Sequence, residues 1–347
     1  MRVNSLQIFA LTFASVISVS SFATEITGMG RKIPAPLFST WASHFAKLKP
    51  TVTVKYQNES SAEAIAQVAS GKVDFAETDA PLFKKLLDKK GLIQFPYMFT
   101  AVTPVANVPG VLPGQMQLTG KILGDIFLGK ITKWNDPEIV GINPRLHLPN
   151  EKISVVHIAS EQGGTYAFSN YLSNANQEWA DNVGVGSTLK WPVGLPVDSL
   201  SAMKDALNNM PYSIAYSEIS FARKNNLKYI RLQNKAGQYA YPIIANVEND
   251  VKKIQWNAAN AFNENLIDMP GMESWPIATA SYILIKKNSD NAEQRQALID
   301  FLNWSLRLGN FDVANLDFLP IERSVYLQIR DILNENRPPS RSNGSVH

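Results

Sequence analysis

The stretch ISVVHIASEQGGTYAFSNYL (residues 153–172) predicts one strand-to-helix unit of an α/β fold. Its first six residues are mostly apolar, as in a buried strand. A helix face follows, marked by apolar residues at i, i+3 and i+4: Phe168, Tyr171 and Leu172. The Gly-Gly-Thr corner between them, Gly163–Thr165, is a common type of anion site because backbone N–H groups are free at a helix N-terminus. However, the stretch contains no Arg or Lys and carries Glu161.

Alternating strand and helix patterns continue along the rest of the chain and support an α/β architecture. Short apolar runs predict strands at residues 52–56, 73–75, 102–108 and 281–285. Helical spacing predicts helices at residues 37–48, 60–71, 118–129, 297–309 and 324–333. The sequence has no recognisable repeat and no low-complexity segment.

The first 23 residues predict a secretory signal peptide. Arg2 precedes an apolar run at residues 6–19, and Ser21-Phe22-Ala23 is a small-x-small cleavage site. An uncleaved membrane anchor is the alternative, but the apolar run is short for a span. The absence of Cys excludes disulfides and suits a bacterial periplasm. Residues 336–347 are predicted to be a disordered tail.

The charge pattern argues against a nucleic-acid partner. The 347 residues carry a net charge of +3, and Lys and Arg are scattered rather than clustered on one segment. The four His residues have no metal-ligand spacing, and no Gly-x-Ser-x-Gly elbow or Walker loop is present. The motifs therefore give little support to an enzyme or a metal site.

Two further corners are candidates for anion binding. TGMGRKIPAP (residues 27–36) combines glycines with Arg31 and Lys32, and Ser60 begins a helix as its N-cap. Each corner has a purely structural alternative, either a tight turn with solvated bases or a plain cap. Asp79 follows a predicted strand and would accept the proton of hydrogen phosphate while repelling fully ionised sulfate. Its alternative is an ordinary turn residue.

Several motifs, in order along almost the whole chain, resemble the periplasmic phosphate-binding protein of the phosphate ABC importer. They are residues 27–36 and 73–81, LGDIFLGKITKWNDP (residues 123–137), VGVGSTLKWPVG (residues 183–194), and Trp275-Pro276-Ile277 with the strand after it. The resemblance implies a two-lobed periplasmic binding protein fold, type II-like, with crossover segments near residues 97–102 and 277–281. The first lobe would comprise residues 24–98 and 278–335, and the second residues 99–277.

The resemblance also implies site residues. Ser60 matches the helix-cap donor, Asp79 the proton acceptor, and Gly164 and Thr165 the end of the Arg-x-Asp-Gly-Ser-Gly-Thr corner. The Arg of that corner is replaced by Ile158, its Asp by Ser160 or Glu161, and its Ser by Gln162 or Gly163. Lys32-Ile33 replaces Thr-Phe, and Glu77 stands where a small residue is usual. The predicted ligand site is Lys32, Ile33, Ser60, Asp79, Gly163, Gly164 and Thr165, with Lys32 supplying the missing positive charge.

The function implied is a monomeric periplasmic receptor that captures inorganic phosphate and delivers it to a membrane permease with a cytoplasmic ATPase. Three alternatives remain open at this point. The protein could be a paralogue for another oxyanion or a phosphonate, or a non-transport protein that has lost the ligand. The third is a hydrolase, which would require phosphatase activity that depends on Asp79.

Overall fold

The structure is a computed structural model that describes residues 23–339. Residues 1–22 of the predicted signal peptide and residues 340–347 of the predicted tail lie outside the described residues. The start of that tail contacts the body of the protein, since Nη1 of Arg337 donates to Oδ1 of Asp300 at 2.9 Å. Within residues 23–339, no helix is long and apolar enough to cross a membrane.

Strands and helices alternate along most of the chain, which confirms the α/β prediction. The strands are β1 Thr24–Gly30, β2 Val52–Asn58, β3 Phe75–Thr78, β4 Leu92–Asn107, β5 Gln117–Leu118, β6 Ser154–Ile158, β7 Leu195–Val197, β8 Ser213–Glu218, β9 Arg231–Gln233, β10 Tyr239–Ala240, β11 Ala278–Lys286 and β12 Leu319–Pro320. The helices are α1 Ala35–Leu48, α2 Ser61–Ser70, α3 Lys84–Lys90, α4 Gly120–Phe127, α5 Pro137–Ile142, α6 Gly163–Ala175, α7 Gln177–Asn182, α8 Leu200–Asn209, α9 Ile219–Lys224, α10 Ile244–Val251, α11 Ala292–Arg307, α12 Asn310–Asn315 and α13 Arg323–Glu335.

One long sheet has the strand order β2-β1-β3-β11-β4-β8-β6-β7, and β12 pairs with β4. Strand β4 runs through the middle of this sheet and joins its two halves. Residues 92–101 of β4 pair with β11, whereas residues 102–107 pair with β8. We call the part around β1, β2, β3 and β11 the first lobe, and the part around β6, β7 and β8 the second lobe.

The chain crosses between these lobes at two adjacent places. The first crossing is within β4, between Ala101 and Val102, and the second leads into β11 at Ala278. The two crossings are hydrogen-bonded, because the N–H of Val102 donates to the carbonyl of Ile277 at 2.9 Å. Nε1 of Trp275 donates to the carbonyl of Val102 at 2.9 Å and fixes the same junction. Two crossover strands side by side are thus the connection that the sequence predicted.

Aromatic packing supports the first lobe beneath the ends of its strands. In α1 the helical stripe buries Leu37, Trp41 and Phe45, but the predicted fourth member, Leu48, is 60% exposed. Phe38 stacks on Tyr56 of β2 with ring centroids 4.4 Å apart. Each fully buried large apolar side chain stabilises the fold by about 1.5–3 kcal/mol relative to an exposed one. The aromatic cluster therefore gives the strand ends a rigid base.

One segment of the second half of the chain packs on the first lobe. The carbonyls of Trp256, Ala261 and Phe262 accept hydrogen bonds from side chains of the first lobe: Gln328, Gln94 and Tyr282. The donor–acceptor distances are 3.0, 3.1 and 3.2 Å. This segment therefore ties the crossover region to the first lobe.

Candidate functional site

The carboxyl ends of β1, β3 and β8 bring four ionisable side chains together between the lobes. Arg31 follows β1, Glu77 lies in β3, Asp79 follows β3, and Glu218 is the last residue of β8. Their exposed fractions are 7%, 0%, 3% and 4%, so all four are buried. Ligands of open α/β sheets bind outside the carboxyl ends of the strands. We call this group the Arg31 cluster.

Arg31 is the centre of the cluster and contacts all three carboxylates. Its Nη1 lies 2.5 Å from Oδ2 of Asp79 and 3.3 Å from Oε1 of Glu218. Its Nη2 lies 2.9 Å from Oε1 of Glu77 and donates to Oγ of Ser281 at 3.4 Å. Because Glu218 belongs to the second lobe and the other two carboxylates to the first, the guanidinium links the two lobes.

Glu77 orients Arg31 through both of its oxygens. Besides the ion pair, Oε2 of Glu77 accepts the backbone N–H of Arg31 at 3.1 Å. Oε1 also accepts the hydroxyl of Tyr97 at 3.2 Å. Tyr97 is the extra residue where the register of β4 and β11 shifts, and such a bulge redirects a side chain. The hydroxyl of Tyr56 donates to the carbonyl of Arg31 at 2.9 Å and fixes the backbone there.

The N-terminus of α6 closes the cluster from the second lobe. The helix begins at Gly163, and Gln162 as its N-cap makes no side-chain capping bond. A Cβ atom on Gly163 would lie 1.6 Å from Cγ of Asp79, so the carboxyl group lies directly against this glycine. Free N–H groups at a helix N-terminus favour negative charge. Only glycine permits so close an approach of a carboxylate to the first turn of α6.

Thr165 is held in this first turn by a tyrosine of β8. The Thr165 side chain is fully buried, and its Oγ1 lies 2.7 Å from the hydroxyl of Tyr216. That hydroxyl also accepts the backbone N–H of Ile158 at 3.4 Å. The Thr165 hydroxyl is therefore oriented by β8 and can direct its remaining hydrogen-bonding capacity toward a ligand.

The Ser60 corner has the geometry of a helix cap. Ser60 is exposed, and its Oγ accepts the N–H of Glu63 at 3.2 Å. The helix ends at Gly71, as predicted, with a φ of 78°. The corner nevertheless lies beside the Arg31 cluster, because the N–H of Glu59 donates to the carbonyl of Gly30 at 2.7 Å.

The structure places the cation differently from the sequence expectation, since Arg31 and not Lys32 enters the site. Lys32 is exposed, whereas Arg31 is buried. Ile33 is half-buried and packs against the apolar core. Successive residues at the end of a strand point to opposite sides, so only one of the two neighbouring bases can face the carboxylates. The predicted residues that meet at the cluster are Asp79 and Gly163, with Gly164 and Thr165 in the same helical turn.

Burial and mutual repulsion perturb the pKa values of the cluster. Burial raises the pKa of Asp79 to about 7, against the lowering effect of Arg31 and aided by Glu77 and Glu218. Burial also raises the pKa of Glu218 above its usual value. Burial disfavours the charge on Arg31, but the three carboxylates outweigh it and raise the pKa of the guanidinium. The arginine is therefore charged, while Asp79, with a pKa near neutral, is poised to hold a proton.

A family model described as a PBP superfamily domain matches residues 18–307. The phosphate-binding protein PstS of Haemophilus influenzae is 37% identical over 89% of this chain and 92% of its own length. The chain belongs to the PstS family of phosphate-binding proteins. The PstS of Pasteurella multocida is similar as well, at 35% identity over 91% of this chain and 92% of its own length.

A solved structure of a phosphate-binding protein supports the fold at lower identity. A periplasmic phosphate-binding protein, PfluDING, solved with phosphate at pH 8.5, has a TM-score of 0.70 and 18% identity, covering 88% of this chain and 93% of its own. This likeness confirms the two-lobed α/β binding fold that the sequence predicted.

Sequence reasoning missed three residues of the site: one contacts Arg31, and the other two hold Glu77 and Thr165 in place. Glu218, Tyr216 and Tyr97 were not singled out, because each lies in an apolar strand pattern that indicated only core. Glu77 did give a signal, since it departs from the small residue usual at that place. An isolated Glu in the buried strand VDFAET required a cation partner, and that partner is Arg31.

The cluster combines donors and acceptors in the manner of an anion site rather than a metal site. Arg31 and the first turn of α6 supply positive potential, and Asp79 supplies an acceptor for a ligand proton. Among residues 23–339, no group of three or more His, Cys, Asp or Glu side chains has the geometry to hold a metal ion. The arrangement therefore fits an oxyanion that carries at least one proton.

Proposed function

We propose that this protein is a periplasmic receptor that captures inorganic phosphate between its two lobes and delivers it to an ABC importer. The observation that carries the proposal is the convergence of Arg31, Asp79 and the N-terminus of α6 at one buried place in a PstS-family chain. Phosphate would bridge the lobes and stabilise their closed arrangement, which a membrane permease with a cytoplasmic ATPase would recognise. Binding, without catalysis or cofactor, is the whole of the proposed activity.

We assign the ligand contacts to Arg31, Asp79 and the first turn of α6, comprising Gly163, Gly164 and Thr165. Arg31 supplies the positive charge that the α6 corner lacks, and the helix supplies backbone donors. Asp79 accepts the proton of the ligand. Ser60 and Lys32 would lie at the rim, since both are exposed.

We also propose that residues 24–98 with 278–335 form the first lobe and residues 99–277 the second. The pairing of β4 with β11 up to Ala101 and with β8 from Val102 supports this division to within a few residues. The segment 256–262 packs on the first lobe although it belongs to the second range. We expect that segment to move with the first lobe when the cleft opens.

Titration calorimetry on the secreted form, purified without phosphate, tests the proposed ligand. We expect saturable heat with phosphate and none with sulfate, which carries no proton at neutral pH to share with Asp79. Heat with a phosphonate but not with phosphate would identify a paralogue with a different ligand. Absence of heat with every oxyanion would contradict the receptor function itself.

A further inference from the structure

The Arg31 cluster contains more negative charge than its one cation neutralises. Three carboxylates, on Glu77, Asp79 and Glu218, surround a single guanidinium, which gives a formal charge of −2 when all are ionised. The other titratable groups that face the cluster are the phenols of Tyr56 on β2 and Tyr97 on β4. Both phenols have raised pKa values because they are buried, so they add no positive charge.

The excess charge is not compensated by hydrogen bonds. Among residues 23–339, Oδ2 of Asp79 and Oε2 of Glu218 have no hydrogen-bond partner, although Oδ2 lies 2.5 Å from Nη1 of Arg31. An unpaired buried carboxylate is costly and tends to take up a proton instead. A phosphate dianion placed beside such a group would raise the cost further, because its charge has the same sign.

Glu77 differs from the other two carboxylates in its donors. Its oxygens accept from the guanidinium and the backbone N–H of Arg31 and from the hydroxyl of Tyr97. Both oxygens of Glu77 therefore have donors. The oxygens without a hydrogen-bond donor belong to Asp79 and Glu218, so a proton on either carboxyl group or on the ligand would supply a missing hydrogen bond.

Building on the phosphate binding proposed above, we propose that this receptor binds phosphate together with one proton from solution. The site selects the monoanion H₂PO₄⁻, or equivalently the dianion with a protonated Asp79, and Glu218 enforces the selection. No covalent bond forms or breaks apart from the transfer of that proton, which ends on a phosphate oxygen or on Asp79. The two descriptions contain the same number of protons and share one pH dependence.

The physical consequence is an affinity that falls as pH rises above neutral. Below neutral pH phosphate is already mostly the monoanion, and binding needs no proton. Above the second ionisation of phosphate, each complex must draw a proton from solution, so the affinity falls by up to about tenfold per pH unit. On the acid side the raised pKa of Asp79, about 7, has the opposite effect: where Asp79 is protonated and phosphate is the monoanion, the complex holds one proton fewer than the separate partners, so binding releases that proton.

Calorimetry in pairs of buffers with different ionisation enthalpies measures the protons taken up per phosphate. On the full secreted protein, we expect uptake of about one proton at about pH 8.5, release of up to about one proton at about pH 5.5, and the highest affinity near neutral pH. Tight binding at the higher pH with no proton uptake would overturn the proton coupling and leave phosphate binding intact. No binding at any pH would overturn both proposals.

The variant Glu218→Gln tests which group enforces the selection. It removes one charge while its amide can still accept from Arg31 through its oxygen, so we expect less proton uptake at about pH 8.5 and an affinity several-fold higher there than in wild type. The matched control is Glu59→Gln, which removes an exposed charge beside the site and should retain wild-type coupling. Equal proton uptake in wild type and Glu218→Gln would refute the role of Glu218. Should Glu218→Gln not fold, the wild-type proton count still decides the coupling.

Discussion

Replacing Gly163 by alanine should separate closure of the two lobes from folding. Gly163 begins α6 in the second lobe, and the carboxyl group of Asp79 in the first lobe lies directly against it. A Cβ at position 163 would stand 1.6 Å from Cγ of Asp79. The backbone of Gly163 is not in the left-handed region, so alanine can adopt its conformation and favours a helix. The substitution therefore blocks the approach of the lobes without damaging α6.

The size of the effect follows from the distances. Ordinary van der Waals contact begins at 3.4 Å, so Asp79 would have to retreat by about 1.8 Å, the difference between 3.4 and 1.6 Å. Asp79 is held by Arg31, and a shift of that size breaks their 2.5 Å ion pair. We expect at least about a tenfold loss of phosphate affinity, which corresponds to about 1.4 kcal/mol.

Gly164→Ala is the matched control, because it changes the neighbouring glycine of the same helical turn. A Cβ there meets only Cγ2 of Val102, at 3.7 Å, which is ordinary contact. Both variants keep every backbone N–H group. Calorimetry with phosphate should show weak binding for Gly163→Ala and an affinity within about threefold of wild type for Gly164→Ala, with circular dichroism unchanged in both. Equal losses in the two variants, or wild-type affinity in Gly163→Ala, would refute the steric reasoning.

Four further substitutions test individual contacts. Lys32→Gln should change phosphate affinity by less than about threefold, because the side chain is exposed; a tenfold loss by calorimetry would return the cation role to Lys32. Arg31→Met leaves three buried carboxylates without a cation and should lower the free energy of unfolding by about 3–5 kcal/mol at neutral pH; an unchanged urea midpoint would contradict the buried cluster. Tyr216→Phe removes the hydroxyl 2.7 Å from Oγ1 of Thr165 and should lower the free energy of unfolding by about 1 kcal/mol, as measured by urea denaturation. An unchanged free energy of unfolding would mean that this hydrogen bond does not stabilise the protein. Burial raises the pKa of Asp79 from 3.8 to about 7 in the folded protein. Between these two pH values the folded protein therefore binds more protons than the unfolded chain. The contribution of Asp79 to stability is lost as pH rises through about 7. Asp79→Asn should therefore gain stability relative to wild type across that range, and parallel stability curves for the two proteins would count against the raised pKa.

The periodic elements could be read from the sequence because their patterns are local. The α6 corner, the N-cap at Ser60 and the stop at Gly71 occur where the residues predicted them. The first ten residues of β4 were missed, since Pro96 interrupts the apolar run and proline removes a ladder N–H. The structure accommodates Pro96 next to the register shift that presents Tyr97 to Glu77. The irregularity that concealed the strand is thus the one that shapes the site.

The composition of the site was harder to predict because it depends on contacts across the fold. Arg31 and Lys32 are adjacent bases, and the sequence alone gives no reason to prefer either. Glu218 lies 187 residues from Arg31 and ends an otherwise uncharged strand. Only the pairing of β4 with β8, which follows from the crossover between lobes, brings this carboxylate to the end of β1.

Two departures from the family pattern, at Ile158 and Glu77, are connected in the fold through Arg31. The resemblance places Ile158, in the second lobe, where the α6 corner of the family has arginine, and Glu77, in the first lobe, where a small residue is usual. Arg31 connects the two observations, because it is held by Glu77 and reaches Asp79 from the side of β1. A buried glutamate without a cation would be costly, and a buried arginine without a carboxylate equally so. We therefore propose that Arg31, with Glu77 as its counter-ion, supplies from the first lobe the positive charge that the α6 corner lacks.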